Sequence, residues 1–167
     1  PPSLVRTIDG VRLYAPNLRY VDLAAPGYYF LATDTPGVLR WLAAQAEGEG
    51  ARILYSTPFR RTQRTRSGFI VDGAGETRYL VGADGPNSKL ARVLGLGQNR
   101  EHLFGVEYEY AGVELPDSGK LHCFIDRKIA PGYIGWVVAG VGVTQVGLGR
   151  RVRDAQPPAT AALGAFL

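Results

Sequence analysis

From residue 103 to residue 149 turn residues divide the chain into four strand-like segments, roughly 103–113, 119–126, 133–140 and 143–149. Short turns between consecutive strands fit an antiparallel sheet. In the first segment Phe104, Val106, Tyr108 and Tyr110 alternate with Gly105, Glu107 and Glu109. That period of two predicts one packed face and one wet face.

The preceding hundred or so residues mix both element types, so the fold class is α/β in the broad, α+β sense. LVRTI and VRLYA flank Asp9-Gly10, a pair that predicts a two-residue hairpin. GYYFLA at 27–32 reads as a strand or an extended approach to a helix. The helix opens at Asp34 or Thr35 with Pro36 in its first turn, carries Leu39, Leu42, Ala43 and Ala46 at helical spacing, and ends at Gly48 and Gly50. ARILYS then reads as a strand, completing a strand–helix–strand order that favours layered packing. Residues 58–82 predict a β-meander of PFRRTQRTR, GFIVD and TRYLVG, with Asp72-Gly73 in a turn. DAQPPATAALGAFL offers a proline stop and an alanine-rich helical start.

A chain of 167 residues, 46% hydrophobic and 20% charged, has the balance of a globular domain. No apolar run approaches the roughly 20 residues of a membrane-spanning helix. The net charge of +4, from 19 basic and 15 acidic groups, is concentrated in short arginine groups. The single cysteine, Cys123, points to a reducing compartment, so a cytoplasmic location is expected. There is no methionine, and the chain opens on Pro1-Pro2, so a fragment is expected.

LVGADGPNSKLARVLGL, residues 80–96, reads as a buried strand, a turn and a short helix capped by Asn87 or Ser88 and stopped by Gly95. The expected buried face of that helix is Leu90, Val93 and Leu94. In open α/β sheets ligands lie beyond the carboxyl ends of strands, where small residues let them approach the backbone. Gly82, Ala83 and Gly85 give that room, Asp84 can accept from a sugar hydroxyl, and the helix start can offer free N–H groups to a phosphate. A plain strand-to-helix turn uses the same residues. In FRRTQRTR a strand would set Arg60, Arg64 and Arg66 on one side and Arg61 on the other, as a phosphate-binding stripe or a solvated face. His102 and His122 are too isolated for a metal cluster, so no metal is expected.

GADGPNSKLAR, with Asp84, Gly85, Ser88 and Arg92 in register, resembles the Gly-Ala-Asp-Gly-x-x-Ser motif of flavoproteins built like para-hydroxybenzoate hydroxylase, geranylgeranyl reductases among them. APGYIGWVVAGVGVTQVGLGR is similar to the reductase branch through Tyr133, Gly135, Trp136 and the VGLG at 146–149, with Val138 and Ala139 where Phe and Pro are usual. The helix after Asp34 departs from the branch, placing Thr35, Val38 and Leu39 where Arg, Phe and Asp are common. The resemblance implies FAD as cofactor, with Gly82, Asp84, Gly85 and Ser88 at the cofactor and Tyr133 and Trp136 lining a substrate pocket. It implies a partial FAD-binding layer joined to an antiparallel substrate sheet. The segments are 1–33 for the start of the sheet region, 34–98 for part of the FAD domain with its inserted meander, 99–153 for the substrate sheet and 154–167 for a helical start. The implied reaction is hydride transfer from reduced flavin to a carbon–carbon double bond of a prenyl or other apolar, lipid-like substrate, with NAD(P)H or another electron donor behind it. No residue identifies itself as the catalytic acid. A flavin monooxygenase and a cofactor-free β-rich binding module are the alternatives. No nucleic-acid partner is expected; peripheral membrane contact is compatible with the pattern. The N-terminal Gly-x-Gly-x-x-Gly loop and the later Gly-Asp motif of that fold are missing, so the resemblance covers the middle of the family enzyme.

Overall fold

The computed structural model describes residues 1–151 and 158–167. Two units are present, Pro1–Glu49 together with Leu103–Leu167, and Gly50–His102. The elements in chain order are a 3-10 turn at Pro2–Leu4, β1 (Val5–Ile8), β2 (Gly10–Tyr14), β3 (Tyr20–Leu23), β4 (Phe30–Thr33), α1 (Thr35–Gly48), β5 (Thr62–Arg64), β6 (Phe69–Val71), β7 (Gly75–Thr77), α2 (Lys89–Val93), β8 (Leu103–Tyr110), β9 (Lys120–Phe124), β10 (Gly135–Ala139), β11 (Thr144–Arg151) and α3 (Ala159–Phe166).

In the first unit the strands after residue 102 appear where the turn residues predict them and form a six-stranded sheet in the order β3-β2-β9-β10-β11-β8. Every neighbouring pair is antiparallel except β2 and β9, which run parallel. One face packs on α3. Val146 and Leu148 of β11 meet Ala159 and Leu163 there, with Val106 and Tyr110 of β8 at the margin. Gly135 makes the close approach possible, because a Cβ at that position would stand 3.2 Å from the Phe166 ring. Phe166 in turn meets Phe124 edge-on, with centroids 5.0 Å apart. At the β2–β3 side of the same face Arg12 grips Asp22 through Nε and Nη2 at 2.7 and 2.9 Å and reaches Asp117 through Nη1 at 2.7 Å. That bidentate contact fixes the register Arg12↔Asp22 and holds the Asp22 carboxyl well below its ordinary range.

The hairpin predicted at Asp9-Gly10 does not form. β1 pairs with β4, from Val5↔Thr33 to Ile8↔Phe30, while β2 pairs with β3 and β9. The Asp9 N–H donates to the Gly119 carbonyl at 3.0 Å, so this step carries the chain from one sheet into another. Alternation marks a strand and leaves its partner undetermined, and here longer-range partners fill both ladders. α1 begins as predicted: Asp34 Oδ1 accepts from the Gly37 N–H at 3.0 Å and Pro36 sits in the first turn. Leu39 and Leu42 of its apolar face are 61% and 49% exposed.

The second unit holds the three-stranded meander β5-β6-β7 and the short helix α2. Two expected strands are absent from it: 51–56 and 80–82 carry no strand, and Val81 is 84% exposed. A buried strand needs ladder partners on both sides, and among the described residues none runs beside either segment. The arginine stripe is likewise broken, because β5 covers only Thr62–Arg64 and leaves Arg60 and Arg66 outside the strand. Of the expected proline stop, Pro157 lies outside the described residues, as do the last two residues of the 99–153 segment, whereas Pro158 is the N-cap of the following helix. The helical start that follows is α3.

Leu163 is fully buried against Leu148. Leu163→Ala is expected to lower the unfolding free energy by about 2–4 kcal/mol, the usual cost of emptying a packed leucine site, as read by urea denaturation.

Candidate functional site

The sheet face opposite α3 is built around missing side chains. Trp136, Gly147 and Glu107 stand side by side across β10, β11 and β8. A Cβ on Gly147 would collide with the indole of Trp136, and one on Gly149 would collide with the ring of Tyr133. Gly105, opposite Gly149, lies under the far edge of the indole, where a Cβ would sit 3.9 Å from Cη2. Alternate glycines on neighbouring strands thus clear a lane in which two aromatic rings rest on backbone. The indole Nε1–H donates to Glu107 Oε2 at 2.6 Å. One strand position on, Gln145 Nε2 donates to Glu109 Oε1 at 3.2 Å.

Above this lane lies a cavity of about 400 Å³ shared with the β1–β4 ribbon. Its walls include Ile8, Phe30, Leu121, Tyr133, Trp136 and Val138. The size falls within the range of small-molecule sites, and an apolar wall with few polar atoms is their usual make-up. The lining also carries Glu107 and Gln145. On the same sheet face Trp136, Cys123, Leu13 and Val21 form one row across β10, β9, β2 and β3. Three interstrand steps make that row roughly 14 Å long. Burial pushes the Cys123 thiol above its ordinary range, so it serves there as a small apolar group.

Tyr133 and Trp136 therefore lie together on one cavity and also pack on the sheet. Glu107, expected on a wet face, is exposed and also borders the cavity, bonded to Trp136. Ile8 and Phe30 were missed altogether, since they arrive from a separate ribbon. The usable signal was the Gly-x-Glu alternation of β8 set against the Gly-x-Gly alternation of β11.

In the second unit Gly82, Asp84, Gly85 and Ser88 share one corner at the start of α2. Asp84 Oδ1 accepts the Ser88 hydroxyl at 2.6 Å, and Oδ2 accepts the N–H groups of Lys89 at 2.7 Å and Leu90 at 3.2 Å. Ser88 Oγ accepts the Ala91 N–H at 2.9 Å. The first-turn donors expected to be free for a phosphate are thus taken by the chain itself. The Ser88 hydrogen bond and then the backbone amides hold the Asp84 carboxyl below its ordinary value of 3.8. Gly85 has φ +85°, a conformation that favours glycine, and a Cβ on Gly82 would approach Leu90 Cδ2 to 3.0 Å. Leu90 is the buried residue of α2, whereas Val93 is exposed. The helix closes as expected at Gly95, with Leu96 N–H on the Ala91 carbonyl and Gly95 N–H on that of Arg92, a Schellman ending.

A cleft of about 180 Å³ lies at this corner, lined by Gly85 and Ser88 together with Asn87 and Asn99. It is smaller than the roughly 300 Å³ at which ligand sites begin, and the carboxylate and helix amides beside it are engaged. These residues do not fit a whole FAD.

The chain shares its fold with PqsL, a probable FAD-dependent monooxygenase of Pseudomonas aeruginosa: it superposes over 88% of its length with a TM-score of 0.60 at 19% identity and 43% of that chain covered. A geranylgeranyl bacteriochlorophyll reductase-like protein of Thermoplasma acidophilum matches 99% of the chain with a TM-score of 0.78 at 20% identity, over 46% of its own length. In sequence the chain is 27% identical over 166 residues to digeranylgeranylglycerophospholipid reductase 1 of Methanothermobacter thermautotrophicus, covering 89% of this chain and 41% of that protein. The chain thus spans less than half the length of these relatives. No family profile matches it. Among the described residues no helix is long and apolar enough to cross a membrane.

The depressed Asp84 carboxyl gives a pH expectation. Its ionised form caps α2, so the cap is fully present above the ordinary value of 3.8 and is lost as pH falls through the lower folded-state value. Amide exchange at Lys89 and Leu90 should stay slow, relative to its intrinsic rate, down to that value and accelerate below it. Acceleration beginning above the ordinary carboxylate range would contradict the assignment.

Proposed function

We propose that this chain supplies the substrate side of an FAD-dependent reductase that saturates double bonds of a prenyl or similarly apolar, lipid-like substrate. The observation that carries the reading is the glycine lane of Gly105, Gly147 and Gly149 under Trp136 and Tyr133, opening on an apolar cavity of about 400 Å³. A prenyl chain has no polar groups along its length, so recognition rests on shape and water exclusion, which rings laid on bare backbone provide. The names of the relatives support the substrate class.

In this reading FAD supplies hydride chemistry when bound to the whole enzyme. The chain's own residues bind the substrate, orient it and keep water out. Tyr133 and Trp136 form the pocket wall. Gly82 and Gly85 leave bare backbone at the α2 corner for a nucleotide to approach, while Asp84 and Ser88 hold the turn and not the ligand. Oxygen insertion is the second reading, favoured by the likeness to the monooxygenase fold. Product analysis with the whole enzyme separates the two, since one product gains hydrogen and the other oxygen.

Two measurements on the 167-residue chain test the reading. An all-trans C20 prenyl alcohol should bind saturably and quench tryptophan emission, and Gly149→Leu, which fills the space under Tyr133, should weaken that binding about tenfold, the equivalent of roughly 1.4 kcal/mol. Equal binding by Gly149→Leu, or none by the unaltered chain, would overturn the pocket assignment. FAD should bind weakly or not at all to this chain, as judged by equilibrium dialysis; tight one-to-one binding would contradict the fit described above.

A further inference from the structure

Glu107 has no place in the substrate reading so far, yet it makes one of the shortest side-chain contacts in the first unit. Its carboxylate lies on the edge strand β8 and accepts the Trp136 indole N–H at 2.6 Å. Between the two stands Gly147, directly opposite both residues on β11. Any side chain at Gly147 would collide with the indole. The ring therefore reaches across an entire strand to find its partner. The bond lies at the exposed margin of the sheet, and a charged acceptor makes it stronger than a neutral one would. No other hydrogen bond to this indole is seen among the described residues.

We infer that Glu107 is a positioning residue: it latches Trp136 flat across the glycine lane, and the latched ring is the wall that gauges how long an apolar chain the cavity admits. Without the carboxylate the indole has only backbone beneath it and can turn about its χ angles into the cavity or away from it. The wall then becomes movable and the gauge is lost. The latch stands on geometry alone; the gauge rests on the prenyl reading proposed above.

The chain has two tryptophans, Trp41 and Trp136, so a Trp41→Phe background isolates the emission of Trp136. In that background Glu107→Ala should raise acrylamide quenching about twofold and lower emission anisotropy, while Glu107→Gln, whose amide oxygen still accepts the N–H, should restore both to near the starting values. Identical quenching for Glu, Ala and Gln at position 107 overturns the latch. Should Glu107→Ala fail to fold, the chain with both tryptophans native decides: the indole N–H of Trp136 should exchange about tenfold more slowly than that of Trp41, and equal rates overturn the latch. For the gauge, the ratio of dissociation constants for C10 and C20 prenyl alcohols should change about fivefold between the unaltered chain and Glu107→Ala, or about 1 kcal/mol. A freed ring with an unchanged ratio overturns the gauge and leaves the latch. Failure of both alcohols to bind any variant removes the gauge together with the prenyl reading, and the quenching result still decides the latch by itself.

Discussion

Everything on the cavity side of the large sheet follows from the absence of side chains at Gly147 and Gly149. A sheet surface normally presents a side chain at every second position of each strand, which would lift an aromatic ring clear of the backbone. Removing two of them in succession on β11, with Gly105 beside them on β8, lets Trp136 and Tyr133 lie against the main chain. The rings occupy the space the glycines vacate and present their faces to the cavity. A single methyl group at Gly147 has no room, because the Val106 carbonyl stands within 2.8 Å of its Cβ position as well as the indole.

The two faces of this sheet solve different problems with the same alternation. On one, Val146 and Leu148 pack with α3 into a closed core, and glycine at 135 serves only to seat Phe166. On the other, glycines in the intervening positions of β11 keep the surface open. Because successive residues of a strand point to opposite faces, the sequence VGLG writes core and site into one four-residue run. The hydrophobic residues of that run hold the sheet against its helix, and its glycines seat Trp136 and Tyr133 on the other side.

At the α2 corner the residues of one motif are bonded first to one another. Asp84, Gly85 and Ser88 do form one compact turn, and Ser88 does cap the helix. The carboxylate, however, spends its lone pairs on the Ser88 hydroxyl and on the Lys89 and Leu90 amides. The spacing of acceptor and helix start that would suit a bound phosphate also suits an internal cap, and a charge with donors of its own chain within reach uses them.

The sequence by itself determined the local events: the strands after residue 102, the Asp34 cap and Pro36 start of α1, the Ser88 cap and Gly95 stop of α2, and the pairing of small residues with aromatics in YIGW and VGLG. Each depends on residues within a few positions of one another, so turn chemistry, capping and period suffice. Tertiary structure alone decided which strands pair, bringing β1 to β4 and β2 to β9 in place of the local hairpin, and it left 80–82 without the neighbours a buried strand needs. It also decided that Glu107 meets Trp136 and that Ile8 and Phe30 complete the cavity wall. A hydrogen bond between residues 29 positions apart, or a wall drawn from a second sheet, is set by register and layer packing, and no local pattern of residues encodes those.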